Sequence, residues 1–378
     1  MKRYLDSYLL KDLQKKIVIL SGPRQVGKTT LSHSLNESFE YLNFDRMEDR
    51  KKIMGESWDR KKKLVIFDEI HKMKNWKRWL KGIYDTEKKN HILVTGSARL
   101  DTFKKVGDSM AGRYFEYRLM PFDLKELKEN GIGSLQENFD QLFKLSGFPE
   151  PFLGGSESEY KRWRKTHLDV IIRQDLPELE SVKRVVDVFT LFELMKERVA
   201  SPLSYNSLRE DLQTDDKSVK RWLQWLENSY AVFKITPYSK SLKYSLKKAP
   251  KYYFFDFPRV EDLGARLENL VAISIYKEIL FKNDVEGENY SLHYLQDKFH
   301  HEIDFLVCKD QKPFMMIEVK TSDAEPSKNF DYFYPSLVKL NPKLQRVQLV
   351  KDLKKGFSNK RGVEVEPLLP WLENISFD

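Results

Sequence analysis

The segment Gly22-Pro23-Arg24-Gln25-Val26-Gly27-Lys28-Thr29 indicates how the first part of the chain folds. It has the spacing of a phosphate-binding loop, in which a second glycine is followed by lysine and a hydroxyl residue. The apolar run at residues 17–20 precedes it, and Leu31 and Leu35 follow it with helical spacing. A strand, a glycine loop and a helix start together surround a phosphate with backbone N–H groups. We therefore predict a nucleoside triphosphate site in an α/β sheet.

The residues of this loop have defined roles in such a site. The Lys28 ammonium would reach the β- and γ-phosphates, and the Thr29 hydroxyl would ligate Mg²⁺. We expect the loop and the residue after it to contact the nucleotide: Gly22, Pro23, Arg24, Gln25, Val26, Gly27, Lys28, Thr29 and Thr30. ATP and Mg²⁺ are the expected cofactors.

Four further segments are predicted as strands: residues 40–44, 64–67, 91–95 and 114–119. Helical patterns separate most of them, which favours a parallel sheet. The segment at residues 64–67 runs directly into Asp68 and Glu69. Asp68 is predicted to hold Mg²⁺, directly or through water, and Glu69 is predicted to orient and polarise the attacking water.

Several motifs resemble, in order, those of archaeal and bacterial AAA-type ATPases that carry a nuclease-like C-terminal domain. The similar segments are residues 22–30, 67–72, 95–99, 111–113 and 119–122, and the likeness extends over nearly the whole chain. An additional strand between the loop and the acidic strand is also typical of AAA proteins. The resemblance implies an Mg²⁺-dependent ATPase of AAA type.

The same resemblance implies roles for further polar residues. Ser97 is similar to a sensor hydroxyl that contacts the γ-phosphate or the attacking water, with Thr95 as the alternative and an ordinary turn residue as a third interpretation. Arg113 is similar to an arginine near the nucleotide that spreads transition-state charge, from the same chain or a second subunit. A surface salt bridge is the other interpretation of Arg113. Asp45 has two interpretations, support of the Mg²⁺ site and an ordinary turn residue at the end of a strand. Arg173 matches a family position without a defined role.

Residues 185–257 show two short helices, a tight turn and two strands, which predicts a winged helix. Ser204 is the expected N-cap of the first helix, and residues 219–226 carry the apolar face of the second. Basic side chains fall on the predicted recognition helix and wing: Lys217, Lys220, Arg221, Lys240, Lys243, Lys247, Lys248 and Lys251. Their position favours contact with DNA, and a protein-interaction or spacer module is the alternative.

The last quarter of the chain predicts a nuclease-like fold. Glu268 begins a helix, Asp304 lies in a strand, and Glu318 and Lys320 share one face of the next strand. This constellation resembles that of the PD-(D/E)XK nucleases. The resemblance implies that Asp304 and Glu318 share Mg²⁺, that Glu268 supports the metal and that Lys320 positions a water. Active cleavage and an inactive domain used for binding or regulation both remain open.

Composition limits the class of protein. The 378 residues, 40% of them hydrophobic and 13% aromatic, suffice for more than one buried core. The single cysteine, Cys308, excludes a disulfide framework, and with His300 and His301 it lacks the spacing of a zinc site. No apolar run reaches the length of a membrane span, and residues 1–6 contain no apolar signal region. We therefore expect a cytoplasmic protein with no membrane partner.

The expected architecture is α/β: a P-loop ATPase core (1–120), a helical lid (121–184), a winged helix (185–257) and an α/β nuclease-like domain (258–378). The net charge of +9 permits a polyanionic partner. The expected function is an AAA-type ATPase acting on or with DNA, and a homo-oligomer is compatible with it. The alternative is a nucleotide-switched DNA- or protein-binding regulator with an inactive nuclease-like domain.

Overall fold

The computed structural model describes residues 1–87, 90–97, 110–174, 182–239 and 249–377. The chain folds into two units. One contains Met1–Pro121 and Asn228–Tyr230, and the other contains Phe122–Glu227 and Ala231–Asp378. The predicted division into four domains stays a prediction.

The first unit is built on a parallel sheet. Its strands are β1 (Ile17–Ser21), β2 (Phe39–Asn43), β3 (Leu64–Asp68), β4 (His91–Gly96) and β5 (Tyr114–Arg118). They form a five-stranded sheet in the order β2-β3-β4-β1-β5, and each neighbouring pair is parallel. The helices described around it are α1 (Asp6–Leu13), α2 (Lys28–Ser34), α3 (Met47–Met54) and α4 (Trp76–Thr86). The predicted parallel α/β sheet is confirmed.

Apolar burial holds this sheet and aligns its ends. Every residue of β1 and β3 is buried, as expected for central strands covered on both faces. Trp76, Leu80 and Ile83 of α4 belong to the core cluster. Asp68 pairs with Thr95 of β4, and β4 also pairs with β1. The carboxyl ends of these three strands therefore meet at one edge.

The second unit contains a larger mixed sheet. Its strands are β6 (Val232–Pro237), β7 (Lys251–Phe254), β8 (Tyr290–Gln296), β9 (Glu302–Lys309), β10 (Lys312–Lys320), β11 (Gln345–Val350), β12 (Phe357–Ser358) and β13 (Glu364–Pro367). They form an eight-stranded sheet in the order β12-β13-β11-β10-β9-β8-β6-β7. The helices described in this unit are α5 (Leu124–Glu129), α6 (Leu135–Leu145), α7 (Pro149–Gly154), α8 (Glu157–Gln174), α9 (Val182–Lys196), α10 (Tyr205–Asp211), α11 (Asp216–Asn228), α12 (Leu263–Val285), α13 (Lys328–Leu337) and α14 (Leu368–Glu373).

The predicted helix pair and hairpin occur in the second unit. Ser204 caps α10 by accepting a hydrogen bond from the Ser207 amide at 3.3 Å, as predicted. The buried face of α11 includes Val219, Trp222 and Leu226. Strands β6 and β7 pair with each other, but β6 also pairs with β8 through Thr236 and His293. The sheet therefore runs across the predicted boundary at residue 257.

Candidate functional site

The P-loop leaves the carboxyl edge of the first sheet, between β1 and α2. Gly22 has a φ of +147°, and a Cβ atom there would lie 2.2 Å from the carbonyl oxygen of Leu119. Only glycine therefore fits this position. Gly27 has a φ of +97° and ends the loop in the left-handed region at the start of α2.

Two cations shape the loop. Lys28 is buried, and its Nζ donates to the carbonyl oxygens of Gly22 at 2.9 Å and Pro23 at 2.6 Å. From the other side, the buried Arg3 guanidinium donates to the carbonyls of Val26 at 2.7 Å and Met120 at 2.6 Å. The role of Arg3 could not be predicted from the sequence, because a lone basic residue near the start of a chain carries no motif.

Asp68 is held by two hydroxyl groups at the end of β3. Tyr41 donates to its Oδ2 at 2.5 Å, and Thr95 donates to its Oδ1 at 2.5 Å. Burial and the hydrogen bond to Asp68 raise the pKa of Tyr41 above its usual range, so this hydroxyl stays a donor. Thr29 is exposed, and its hydrogen bond to Tyr41 lowers the pKa of Tyr41 in part. Asp68 and the predicted Mg²⁺-binding Thr29 are thus brought together through Tyr41.

Glu69 lies in a strained and electrostatically paired position. Its φ of +55° is in the left-handed region, and its side chain is buried. Oε2 lies 3.4 Å from Nζ of Lys72 and 3.6 Å from Nε2 of His71, and it accepts no hydrogen bond from the described residues. Lys72 also contacts Asp45 at 2.5 Å. Asp45 is therefore linked to Glu69 through Lys72.

Ser97 follows the end of β4. It is 2% exposed, and its Oγ has no hydrogen-bond partner among the described residues. Thr95 is also buried, but its hydroxyl is used by Asp68. Of the two predicted sensor hydroxyls, Ser97 is thus the one left over for a ligand.

Arg113 does not join this group. Its carbonyl accepts a hydrogen bond from the Ile17 amide at 3.3 Å, at the beginning of β1. Because the P-loop follows the end of that strand, about 16 Å of strand length separates the two. The Arg113 side chain instead contacts Asp85 at 3.0 Å. Arg113 therefore does not lie near the nucleotide site of its own chain, which corrects that expectation. Its position is compatible with a salt bridge or with a role on a second subunit.

Several predicted positions lie outside the described residues. These are Ala98 and Arg99 of the sensor motif, the Arg173 side chain, and the wing residues Lys240, Lys243, Lys247 and Lys248. On the helix before the wing, Lys217, Lys220 and Arg221 are exposed, as predicted.

A second site lies in the larger sheet, where the four predicted nuclease residues come together. Lys320 Nζ contacts Oε1 of Glu318 at 2.9 Å, and the Val319 amide donates to Oδ2 of Asp304 at 2.8 Å. Glu318 is 3% exposed, and its Oε2 has no hydrogen-bond partner among the described residues. Burial and the neighbouring Asp304 raise the pKa of Glu318 to about 7 and that of Glu268 to about 8. We call Glu268, Asp304, Glu318 and Lys320 the carboxylate cluster.

Lys251 lies in this cluster of charges and not in a solvent-exposed wing. It was expected in the wing, but its side chain is 0% exposed, with Nζ 2.5 Å from Oε1 of Glu302 and 3.5 Å from Oε1 of Glu268. Burial lowers its pKa, but the carboxylates of Glu268 and Glu302 raise it above the usual range overall. Tyr253 also donates to Oε1 of Glu268 at 2.7 Å. Lys251 begins β7, which pairs with β6, and a count of basic residues cannot show that its side chain is buried.

These bonds determine which carboxylate oxygens remain for a ligand. Glu302 uses Oε1 for Lys251 and Oε2 for Gln296, whose amide lies at 2.7 Å. Asp304 Oδ1 and Glu318 Oε2 are left over from the hydrogen bonds described above. Among the described residues, no three acidic, histidine or cysteine side chains form a ready metal cage. Carboxylate oxygens are ligands of the kind that Mg²⁺ takes, and it usually keeps water or substrate oxygens as its other ligands.

Three family models match successive parts of the chain. Residues 14–128 match the model described as AAA domain, which confirms the prediction of an AAA-type P-loop domain there. Residues 136–257 match Domain of unknown function (DUF8612), and residues 263–368 match Domain of unknown function (DUF4143).

The chain is also similar to uncharacterized proteins of other organisms. One from Methanocaldococcus jannaschii is 22% identical over 402 residues, covering 96% of this chain and 89% of that protein. One from Haemophilus influenzae is 23% identical over 317 residues, covering 72% and 78%. One from Mycobacterium tuberculosis is 24% identical over 250 residues, covering 64% of this chain and about half, 54%, of that protein.

Two solved structures show distant likeness to the chain. The Aeropyrum pernix ORC1 protein in complex with DNA has a TM-score of 0.34 at 12% identity, covering 72% of this chain and 93% of that chain. The Bacillus subtilis DNA clamp loader delta protein has a TM-score of 0.28 at 10% identity, covering 58% and 86%. None of the helices that the structure describes combines the length and apolar character needed to cross a membrane.

Proposed function

We propose that the first unit binds ATP with Mg²⁺ and hydrolyses it. The observation that carries this proposal is the common edge at which Gly22, Asp68 and Ser97 lie. Thr29 and Asp68 would hold Mg²⁺, which supplies charge neutralisation for the phosphates. Lys28 would turn from the loop carbonyls to the phosphates, and Ser97 would donate to the γ-phosphate or the attacking water. The buried Glu69 carboxylate would orient that water.

The test compares ATP turnover and ATP binding in matched variants. Glu69→Gln should bind ATP but lower turnover by about 10²- to 10⁴-fold, as loss of a general base does. Lys28→Ala should lose ATP binding. Glu48→Gln, an exposed glutamate of α3, is the control and should behave as wild type. Turnover of Glu69→Gln equal to wild type would contradict the proposal.

We also propose that the second unit contacts DNA through α11. Lys217, Lys220 and Arg221 are exposed on one helix, with Lys220 over the Tyr205 ring at 5.7 Å. Phosphate contacts by such side chains release counterions, so binding should weaken with salt. Replacing all three residues by alanine should reduce the slope of log affinity against log salt by roughly 3. An unchanged slope would remove α11 from the DNA contact.

For the carboxylate cluster we propose Mg²⁺-dependent cleavage of a phosphodiester. Glu318 supports this, because a buried carboxylate oxygen without a hydrogen bond is costly unless a ligand or proton occupies it. Asp304 Oδ1 and Glu318 Oε2 would hold the ion, which supplies Lewis-acid polarisation of the phosphate. Lys320, which is partly exposed beside Glu318, would position a water and Glu268 would support the cluster.

Cleavage is tested on single-stranded, duplex and branched DNA and on RNA. Glu318→Gln and Asp304→Asn should abolish Mg²⁺-dependent cleavage, whereas Glu364→Gln, an exposed glutamate of β13 in the same sheet, should leave it unchanged. Cleavage that survives Asp304→Asn would show that another site or a contaminant is responsible.

Lys251 favours the alternative function, a nucleotide-switched regulator with an inactive cluster. Its ammonium already neutralises charge at Glu268 and Glu302, where a second cation would otherwise be needed. In that case wild-type protein should bind DNA without cleaving any of the forms tested, while ATP turnover is retained.

A further inference from the structure

An exposed set of aromatic rings lies beside the carboxylate cluster. Phe299 is 64% exposed and Tyr332 is 47% exposed, although large aromatic side chains usually lie inside. The His301 ring stacks on Tyr332 with centroids 4.0 Å apart, and Phe299 meets His301 edge-on at 6.4 Å. We call Phe299, His301 and Tyr332 the aromatic surface.

The aromatic surface is held in place by one carboxylate. Asp297 accepts hydrogen bonds from the amides of Phe299 at 2.8 Å and His301 at 2.9 Å. It also contacts Nδ1 of His301 at 3.1 Å, and Tyr332 donates its hydroxyl to it. The rings are therefore presented to solvent by a fixed loop, so little conformational entropy would be lost when a ligand stacks on them.

The loop lies next to the carboxylate cluster along the chain and across the sheet. Residues 297–301 join β8 to β9, and Gln296 and Glu302 at the two ends are paired side chain to side chain at 2.7 Å. Asn329, at the start of α13, donates to the Glu302 carbonyl at 2.6 Å, which brings the helix of Tyr332 to the same end. Asp304 follows Phe299 by five positions in the chain, so at most about 18 Å of chain lies between them.

The charges around the rings fit a polyanion. Lys298 and His300 flank Phe299 and are exposed, and Lys298 Nζ lies 4.8 Å from the centre of the Phe299 ring. Lys328, at the start of α13, is exposed as well. The acidic Asp297 is used internally, and Asp331 is paired with Arg361. Flat rings between cations have the composition of surfaces that bind single-stranded nucleic acid by base stacking and phosphate contact.

We propose that the aromatic surface binds unpaired bases of a single-stranded nucleic acid and leads that strand to the carboxylate cluster. Bases stack on Phe299 and on the His301–Tyr332 pair, and Lys298 and Lys328 contact the phosphates. The proposal names the substrate class of the nuclease site and therefore rests on that proposed function. Binding to the aromatic surface can nevertheless be measured without cleavage.

The experiment measures the binding of a short fluorescein-labelled oligothymidylate by fluorescence anisotropy, in EDTA and on an Asp304→Asn background. Phe299→Ala and Tyr332→Ala should each weaken binding by about ten-fold, as loss of one base stack does. Phe299→Trp should retain it. Phe357→Ala is the matched control, because Phe357 is 45% exposed on β12 at the far edge of the sheet. The Phe299 and Phe357 side chains are exposed, so the melting temperatures of Phe299→Ala and Phe357→Ala should equal that of wild type.

An abasic oligonucleotide of the same length separates stacking from charge. It should bind more weakly to wild type and show no further loss with Phe299→Ala. The proposal is overturned if Phe299→Ala and Phe357→Ala bind oligothymidylate alike, or if the abasic strand binds wild type as well as oligothymidylate. If binding follows the prediction but no form cleaves, the nuclease proposal fails and the aromatic surface stands as a binding site.

Discussion

Lys251 is completely buried, and its ammonium contacts Glu302 and Glu268. Taking a lysine out of water costs several kcal/mol unless carboxylates repay it. With Asp304, Glu318 and Lys320 nearby, four carboxylates and two ammonium groups leave two negative charges when all are ionised. At the scale of the residue, Lys251 therefore sets the charge balance of the cluster.

Lys251→Met should lower the free energy of unfolding by about 3–5 kcal/mol, because it leaves buried carboxylates without their cation. Adding Glu302→Gln should recover part of this loss, since the neutral amide needs no counter-charge. The measurement is denaturant unfolding of the full chain, followed by a signal that reports on the second unit. Lys312→Met, at an exposed position of β10, is the control and should change stability by less than about 0.5 kcal/mol. Equal losses of stability in Lys251→Met and Lys312→Met would contradict this prediction.

At the scale of the element, the P-loop was predictable because its glycines, lysine and threonine have a fixed spacing tied to backbone geometry. The chain positions of Asp68 and Glu69 followed from the end of an apolar strand. What the pattern did not contain was the support from Arg3 and Tyr41, which reach the site by folding from other elements. Such contacts depend on tertiary structure and leave no periodic signal.

Gly22→Ala tests the close approach of the loop to Leu119. A Cβ atom 2.2 Å from a backbone oxygen forces the loop to move, so ATP binding should be lost and the melting temperature lowered. Gly82→Ala in α4 is the matched control, because nothing lies within 4 Å of its added Cβ. That variant should melt at the same temperature or slightly higher, since alanine favours the helix. ATP binding by Gly22→Ala at wild-type affinity would contradict the prediction.

The pairing of β6 with β8 should be sensitive to acid through His293. Burial lowers the pKa of His293 below its usual 6.5, and the ring lies 3.3 Å from the Thr236 carbonyl and 3.1 Å from the Ser291 hydroxyl. The unfolded chain therefore takes up a proton first as the pH falls. This contribution to stability is complete above about pH 6.5 and is lost as the pH falls toward the folded-state pKa.

The measurement is the change in melting temperature between about pH 7.5 and about pH 5.5. The melting temperature of wild type should fall more than that of His293→Gln, whose side chain cannot titrate. His300→Gln, at an exposed position, should lose as much as wild type. If the melting temperatures of His293→Gln and wild type fall in parallel, the pKa of His293 does not differ between the folded and unfolded states, and the prediction is wrong.

For the whole molecule, the position of Arg113 distinguishes an ATPase that is complete in one subunit from one that needs an arginine of a second subunit. Its place at the amino edge of the first sheet puts it out of reach of its own P-loop. In dilute, monomeric protein, Arg113→Ala should therefore retain ATP turnover within about two-fold, since an arginine stabilises the transition state only when it reaches the phosphates. A loss of more than about ten-fold at the lowest protein concentrations would contradict this geometry.

Mixing variants tests the second-subunit role of Arg113 directly. Glu69→Gln subunits supply an intact arginine, and Arg113→Ala subunits supply an intact catalytic carboxylate. If Arg113 acts across an interface, the mixture should be more active than either variant alone at high concentration. Additive activities would leave Arg113 as the partner of Asp85 only.

The α/β class was predictable for the whole molecule, whereas the positions of particular lysines were not. Local patterns specify strands and helices, but Lys251 was assigned to a solvent-facing wing because nothing near it in sequence shows that β7 belongs to a large sheet. Phe299 and Tyr332 were likewise missed, since single aromatic residues are ordinary core residues in any sequence.

The eight-stranded sheet has a consequence for how this chain can be divided. A fragment that began after residue 257 would keep β8 but lose β6 and β7, leaving the backbone amides and carbonyls of β8 without their neighbour. It would also lose Lys251 and Tyr253, and with them the bonds that hold Glu268. Such an open strand edge promotes aggregation. Gene fusions and truncated expression clones should therefore keep residues 232–254 together with residues 263–377, and any exchange of this module between genes has to carry both.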